Sequence, residues 1–179
     1  MVGKGILVLG VGNILFTDEG LGVRLVEKLQ AEYHLSDNVS LLDGGTLGTK
    51  LMDPIMGCEM LIVADAVLGG DEPGSVYRLT GDDLRKSLAF KNSLHQSDLV
   101  DTLIYCEFLG NRPEAVVIGM EPADFQTMAV ELTPLVASRL PAMAQVVLQE
   151  ITNAGGTWSP GSSGPSGPCC TGPAPSSGE

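Results

Sequence analysis

Short, uninterrupted apolar runs recur along the first 120 residues of this chain, and turn-forming residues follow most of them. Such runs are typical of strands, and the run at 60–67 shows no polar alternation, which indicates a strand buried on both faces of a parallel sheet. The run at 75–79 is short enough to predict an edge strand. The predicted strands lie at residues 5–11, 39–43, 60–67, 75–79 and 115–120.

The segments between these runs have apolar residues at helical spacing, as Leu21, Leu25 and Leu29 illustrate. Strands that alternate with helices are typical of a parallel α/β sheet. The sequence therefore predicts a three-layer α/β sandwich, in which a twisted, mainly parallel sheet of about five strands has helices on both faces. The predicted helices lie at residues 20–33, from after Gly48 to near Pro54, at 96–109 and at 126–150.

The composition changes after residue 152. Residues 1–152 have the apolar content of one globular domain, whereas residues 153–179 are mostly Gly, Pro and Ser. Such a tail buries too little apolar surface to offset the entropy of ordering, so we expect disorder there. Cys58 and Cys106 are isolated, and the adjacent pair at 169–170 lies in this tail, a pattern typical neither of a zinc site nor of a disulfide framework.

The formal net charge is −12, with 22 acidic and 10 basic side chains. Such a chain would repel phosphate backbones, so we expect no nucleic-acid partner. No apolar run approaches the ~18 residues that a membrane span requires, so no membrane insertion is expected. The apolar N-terminus lacks a signal-peptide cleavage pattern, and we expect a cytoplasmic protein.

Three ionisable residues lie at strand ends or helix starts, where a functional site is expected: Glu19, Asp65 and His95. Glu19 precedes the first predicted helix, Asp65 ends the strongest strand, and His95 lies in the first turn of a later helix. Ligands of open α/β sheets bind outside the carboxyl ends of the strands. Two carboxylates and one imidazole there would form an O,O,N metal site with open positions, which favours hydrolytic or metal-recognition chemistry.

Each of these residues also has a purely structural interpretation. Glu19 could complement a helix dipole, Asp65 could be satisfied by backbone amides of the following turn, and His95 could be a surface residue near a helix cap. Asp18 could cap the first helix or support Glu19. The segment Asp43–Thr46 could be an ordinary turn, although its two glycines would let a substrate backbone approach closely.

The ordered set of these segments resembles the hydrogenase maturation proteases. The resemblance covers residues of about 5–150 and does not extend to the tail. The matching stretches, in family order, are GNILFTDEGLGVRLVEKL, DGGTLGTKLM, VADAVLGGDEPGSVYRL, SLHQSDLVDTL and VIGMEP.

The resemblance implies a nickel-dependent, aspartic-type endopeptidase. Such enzymes remove the C-terminal extension from the immature large subunit of a [NiFe] hydrogenase after nickel insertion. The family's nickel ligands fall on Glu19, Asp65 and His95, and its substrate-recognising segment falls on Asp43, Gly44, Gly45 and Thr46. The nickel is carried by the substrate, and other divalent ions are also expected to fit this ligand set. A bound ion could polarise the scissile carbonyl group or activate a water molecule. Asp65 as the general base, with Glu19 as a second catalytic carboxylate, is the favoured alternative.

Three alternatives remain open from the sequence. The same ligands would serve a nickel-checking chaperone that binds the large subunit without cutting it. A general metallopeptidase would cleave unrelated peptides. A dinucleotide-binding oxidoreductase is disfavoured, because Leu15 stands where the Gly-rich fingerprint requires Gly or Ala.

Overall fold

The computed structural model describes residues 5–46, 51–81 and 96–161. Five strands form one sheet: β1 (Ile6–Val11), β3 (Val39–Gly45), β4 (Met60–Ala66), β5 (Val76–Thr80) and β6 (Glu114–Met120). Their order in the sheet is β3-β1-β4-β6-β5, and only β5 runs antiparallel to its neighbour. The mainly parallel five-stranded sheet and the edge position of β5 confirm the prediction.

Four α-helices cover this sheet in the described residues, two on each face. The first and last helices, α1 (Leu21–Glu32) and α4 (Pro134–Asn153), pack on one face through one apolar cluster. The other two, α2 (Met52–Met56) and α3 (Gln96–Phe108), pack on the opposite face through a second cluster. Alternate residues of β4 enter the two clusters, so this strand is buried on both faces. The three-layer sandwich is therefore confirmed.

Two helix boundaries differ from the prediction. Helix α2 continues past Pro54, which stands in the first helical turn, where the missing N–H has no intrahelical partner to lose. Helix α4 begins at Pro134 rather than near residue 126, because Thr133 is its N-cap and accepts a bond from the Val136 N–H at 3.4 Å. Before it, the Asp124 carboxylate accepts from the N–H groups of residues 126 and 127 and forms a turn.

The expected disorder from residue 153 onward is wrong for the first part of that tail. Trp158–Pro160 form a strand, β7, which pairs antiparallel with β2 (Tyr33–Leu35). The Trp158 ring meets the Tyr33 ring edge-on at 5.5 Å, and Gly161 N–H donates to the Glu32 carbonyl at 2.7 Å. Residues 162–179, including the cysteine pair, lie outside the described residues, so disorder there stays a prediction.

No helix within the three described ranges combines the length and the apolar content that crossing a bilayer requires.

Candidate active site

The site lies at the carboxyl-terminal edge of the parallel strands. From β1 the chain passes to β3 on one side of it, and from there to β4 on its other side. The strand order therefore reverses between β1 and β4, and a crevice opens at such a switch point because the two connections leave in opposite directions. Glu19 follows β1 and Asp65 belongs to the end of β4. Both predicted carboxylates consequently lie at this switch point.

Glycines let the chain after β1 lie close against the strand ends. A Cβ on Gly22 would lie 2.1 Å from the Ala64 carbonyl oxygen, so the start of α1 packs directly on β4. Gly12 has a φ of +141°, and a Cβ there would lie 1.9 Å from the carbonyl oxygen of Glu19. Only glycine permits both approaches. The glycines of this turn thus position a 3-10 helix (Thr17–Gly20) that holds Glu19 over the sheet.

Asp65 is a buried acid in an apolar strand, with 5% of its surface exposed. Its Oδ1 accepts a hydrogen bond from the Ala66 N–H at 2.8 Å, as the structural interpretation of this residue expects. Burial nevertheless raises the pKa of Asp65 well above its ordinary value; the Ala66 N–H opposes this rise, and the charge of Glu19 adds to it. The negative charge of Glu19 thus makes ionisation of Asp65 less favourable still.

Glu19 itself is partly buried. It precedes Gly20, the N-cap of α1, and therefore lies in the 3-10 helix rather than in the first turn of α1. The interpretation as a dipole-complementing acid of α1 is weaker for that reason, since this effect is confined to the first turn.

Asp18 is a structural residue with no exposed surface. Its carboxylate accepts from the N–H groups of Ala123 (2.9 Å), Asp124 (3.0 Å) and Thr133 (2.8 Å), and from the Thr133 hydroxyl (2.9 Å). It caps neither the 3-10 helix nor α1, since neither helix has a side-chain cap bond. Asp18 instead joins the turn after β1 to the loop before α4, and so fixes the backbone that presents Glu19.

The Asp43–Thr46 segment reaches the same edge of the sheet from β3. Asp43 is exposed, and its Oδ1 accepts from the Gly45 N–H at 2.8 Å. Gly45 has a φ of +50°, and its carbonyl accepts from the Gly12 N–H at 2.8 Å. A Cβ on Gly44 would lie 2.8 Å from Leu9 Cδ1. Asp43, Gly44 and Gly45 thus form the end of β3 rather than an ordinary turn, with a β-bulge where they pair with β1. The role of the Asp43–Thr46 segment in substrate binding stays a prediction.

His95 lies outside the described residues, as the residue directly before α3. The far end of α3 lies at the amino-terminal edge of the sheet, since Asn111 just beyond it donates to the Met56 carbonyl before β6 begins. Helix α3 packs on the sheet and therefore starts towards the carboxyl-terminal edge. Within the described ranges, no three His, Cys, Asp or Glu side chains cluster as a metal site.

Sequence reasoning missed Glu121, a second buried acid at a strand end. Its Oε2 accepts from the N–H groups of Gly69 (2.7 Å) and Gly70 (3.1 Å) and from the Tyr77 hydroxyl (2.7 Å). Burial, and then the bond to Glu121, raise the pKa of Tyr77. Glu121 thereby holds the loop that follows Asp65. The signal was present, because an acid directly follows the apolar run 115–120, as Asp65 follows residues 60–64.

The two described cysteines are both buried free thiols. Burial raises the pKa of Cys58 to about 11, and burial also raises the pKa of Cys106. A thiol with a raised pKa is protonated near neutral pH and is a poor nucleophile. Neither cysteine is therefore suited to act as the nucleophile of an acyl-enzyme route.

A parallel sheet with paired acids at its switch point is typical of an α/β enzyme. The family model of the hydrogenase maturation proteases matches residues 23–150. A hydrogenase 2 maturation protease of Escherichia coli is 40% identical over 145 residues, which cover 79% of this chain and 88% of that protein. The hydrogenase expression/formation protein HupD of Rhizobium leguminosarum is 41% identical over 152 residues, 84% of this chain and 75% of its own.

Solved structures agree with these matches. The hydrogenase maturating endopeptidase HybD from E. coli superposes with a TM-score of 0.81 at 37% identity, over 87% of this chain and 96% of that one. This chain belongs to the hydrogenase maturation protease family, and it is accordingly an endopeptidase.

Proposed function

We propose that this protein removes the C-terminal extension from the precursor of a [NiFe] hydrogenase large subunit, after nickel has been inserted. One observation carries the proposal: Asp65 is buried at the switch point of the sheet, where burial, and then the charge of Glu19, raise its pKa. A buried acid costs stability unless a partner compensates it, and the one backbone N–H bond to Asp65 does not return its pKa to the ordinary range. A carboxyl group with such a raised pKa at a sheet edge favours a functional role.

The chemistry of this pair suits peptide hydrolysis. Asp65 is proposed as the general base: its carboxylate takes a proton from a water molecule, whose oxygen attacks the scissile carbonyl carbon. The peptide C–N bond then breaks, and the proton passes to the leaving amine. Glu19 is the second catalytic carboxylate, and its charge favours the protonated form of Asp65 that this transfer creates.

The nickel ion belongs to the precursor in this proposal. Glu19, Asp65 and His95 would contribute two oxygen donors and one imidazole nitrogen, a set that accepts nickel and also zinc, manganese or cadmium. Held by these residues, a divalent ion would supply Lewis-acid polarisation of the scissile carbonyl group. We further propose that Asp43, Gly44, Gly45 and Thr46 contact the precursor beside this site, and that processing takes place in the cytoplasm.

The test uses purified protein with matched nickel-loaded and nickel-free precursor, whose products are weighed by mass spectrometry. We expect loss of a C-terminal peptide from the nickel-loaded precursor alone. Cleavage of both forms would refute nickel as the recognition signal. Binding without cleavage would support the chaperone alternative and refute the protease. Cleavage of unrelated peptides at a similar rate would indicate a general metallopeptidase.

A further inference from the structure

Two loops at the carboxyl-terminal edge expose several large apolar side chains. They belong to the turn after β1 and to the loop between β6 and α4. Their exposed fractions range from 38% for Ile14 and Phe125 to 74% for Met128. We call this surface the apolar platform; its members are Ile14, Leu15, Phe125, Met128 and Val130.

Hydrogen bonds join the two loops into one unit. Thr17 donates from its N–H to the Ala129 carbonyl at 2.8 Å and from its hydroxyl to the Asp124 carbonyl at 2.5 Å. Phe16 and Ala129 form a β-bridge, and the four bonds to the buried Asp18 carboxylate add to the same junction. The platform is therefore a single surface on a fixed backbone.

The platform is continuous with the candidate active site. A Cβ on Gly20 would lie 2.8 Å from the Ile14 Cα, so Ile14 packs on the residue next to Glu19. Leu15 lies in the same turn, and Met128 directly precedes Ala129, which pairs with Phe16 of this turn. A ligand that lies across the platform would consequently reach the crevice that holds Glu19 and Asp65.

The chemistry of the platform contrasts with that of the whole chain. Residues 13–16 and 125–130 contain no charged side chain, whereas the chain has a net charge of −12. An exposed apolar surface on an acidic protein favours an apolar ligand. A second copy of this chain fits less well, because it would cover the crevice through which a substrate must enter.

We propose that the apolar platform binds apolar side chains of the precursor polypeptide beside the scissile bond. This inference rests on the proposed function, which makes the ligand a polypeptide. The platform would hold the chain while the crevice acts on the bond next to it. Its contribution is to substrate binding, and Asp65 and Glu19 supply the chemistry.

The experiment compares steady-state cleavage of nickel-loaded precursor by the wild type and by the double variant Leu15→Ser, Met128→Ser. Loss of two apolar contacts should raise KM by about tenfold and leave kcat within about twofold. The single variants should give intermediate KM values. Phe108→Ser is the matched control, because Phe108 is 84% exposed at the end of α3 far from the crevice, and its KM should be that of the wild type.

A KM unchanged in the double variant would overturn the inference, as would an equal rise in the Phe108→Ser control. Sedimentation adds a further check. A wild-type dimer that the double variant converts to a monomer, with KM unchanged, would assign the platform to self-association. Cleavage by the wild type in the same assay keeps the proposed function intact in each of these cases, whereas a wild type that cuts nothing would refute that function itself.

Discussion

Asp65 destabilises the fold by its position. The strand that carries it is apolar up to residue 64, and the burial that benefits those neighbours penalises a charged carboxylate. The Ala66 N–H compensates only in part, and Glu19 adds a second negative charge. The site is therefore assembled at some cost to stability, as expected where a function requires an unusual pKa.

This cost can be measured with Asp65→Asn. The pKa of Asp65 is higher in the fold than its ordinary 3.8, so the folded state binds the proton more tightly. The stabilisation of the folded state by protonation of Asp65 is fully present below about pH 3.8 and is lost as the pH rises through the folded-state pKa. Asparagine is uncharged and keeps an acceptor for the Ala66 N–H. We expect its thermal midpoint to exceed that of the wild type at pH 7 by a few degrees, roughly 2–4 °C per kcal/mol.

The difference between the two midpoints should shrink towards acid pH, where Asp65 is protonated. Differential scanning calorimetry from pH 4 to pH 8 measures it. A lower midpoint of the variant at pH 7 would show that ionised Asp65 stabilises the fold, contrary to the burial argument.

At the scale of elements, apolar pattern predicted what burial controls. The five sheet strands and the packed helices have apolar faces that are buried in these structures, so the sequence predicted these elements correctly. The pairing of β2 with β7 was not readable, because each strand has three residues and their partnership depends on contacts between residues far apart in the chain. The start of α4 was misjudged because turn and cap bonds, rather than apolar spacing, decide it.

The carboxyl-terminal strand allows a direct test by truncation. Removal of residues 162–179 should leave the thermal midpoint unchanged, because the chain there is rich in Gly, Pro and Ser. Removal of residues 157–179 also deletes β7 and its contact with Tyr33, and should lower the midpoint by several degrees. Equal midpoints for both truncations would contradict a stabilising role of β7.

The junction between the 3-10 helix and the loop before α4 depends on Asp18. Replacement by alanine leaves three backbone N–H groups without their acceptor in a buried place, and should destabilise the fold by about 3 kcal/mol or more. Asp37→Ala, at an exposed position, is the control and should change stability by less than about 0.5 kcal/mol. Urea unfolding of both variants provides the comparison, and similar values for the two would refute the role of Asp18.

The candidate site was predictable in part for the same physical reasons. Glu19 and Asp65 could be predicted as candidates, because an acid beside an apolar strand at a sheet edge costs stability unless it is compensated. Glu121 and Asp18 were not assigned their roles, because these depend on which backbone N–H groups lie near them in the fold. The role of Gly12 and Gly22 in packing was equally hidden, since a Gly-x-Gly turn has several uses.

At the scale of the whole molecule, the switch point organises the function. The turn after β1 supplies Glu19 and, together with the loop before α4, the apolar platform. The end of β4 supplies Asp65, and the end of β3 supplies the Asp43–Thr46 segment. All of them meet at one edge of one sheet. An acidic molecule with an exposed apolar surface beside its crevice is suited to receive a polypeptide and cut it at a defined bond.

The central claim, that Asp65 performs the cleavage, is tested most directly by single-turnover cleavage of nickel-loaded precursor by Asp65→Asn. The variant should bind the precursor, keep its fold by circular dichroism, and cleave at least about a hundredfold more slowly, since a general base contributes about 10²–10⁴ to a rate. Glu59→Gln, in an exposed acid far from the crevice, should cleave as fast as the wild type. Cleavage by Asp65→Asn at the wild-type rate would contradict the account.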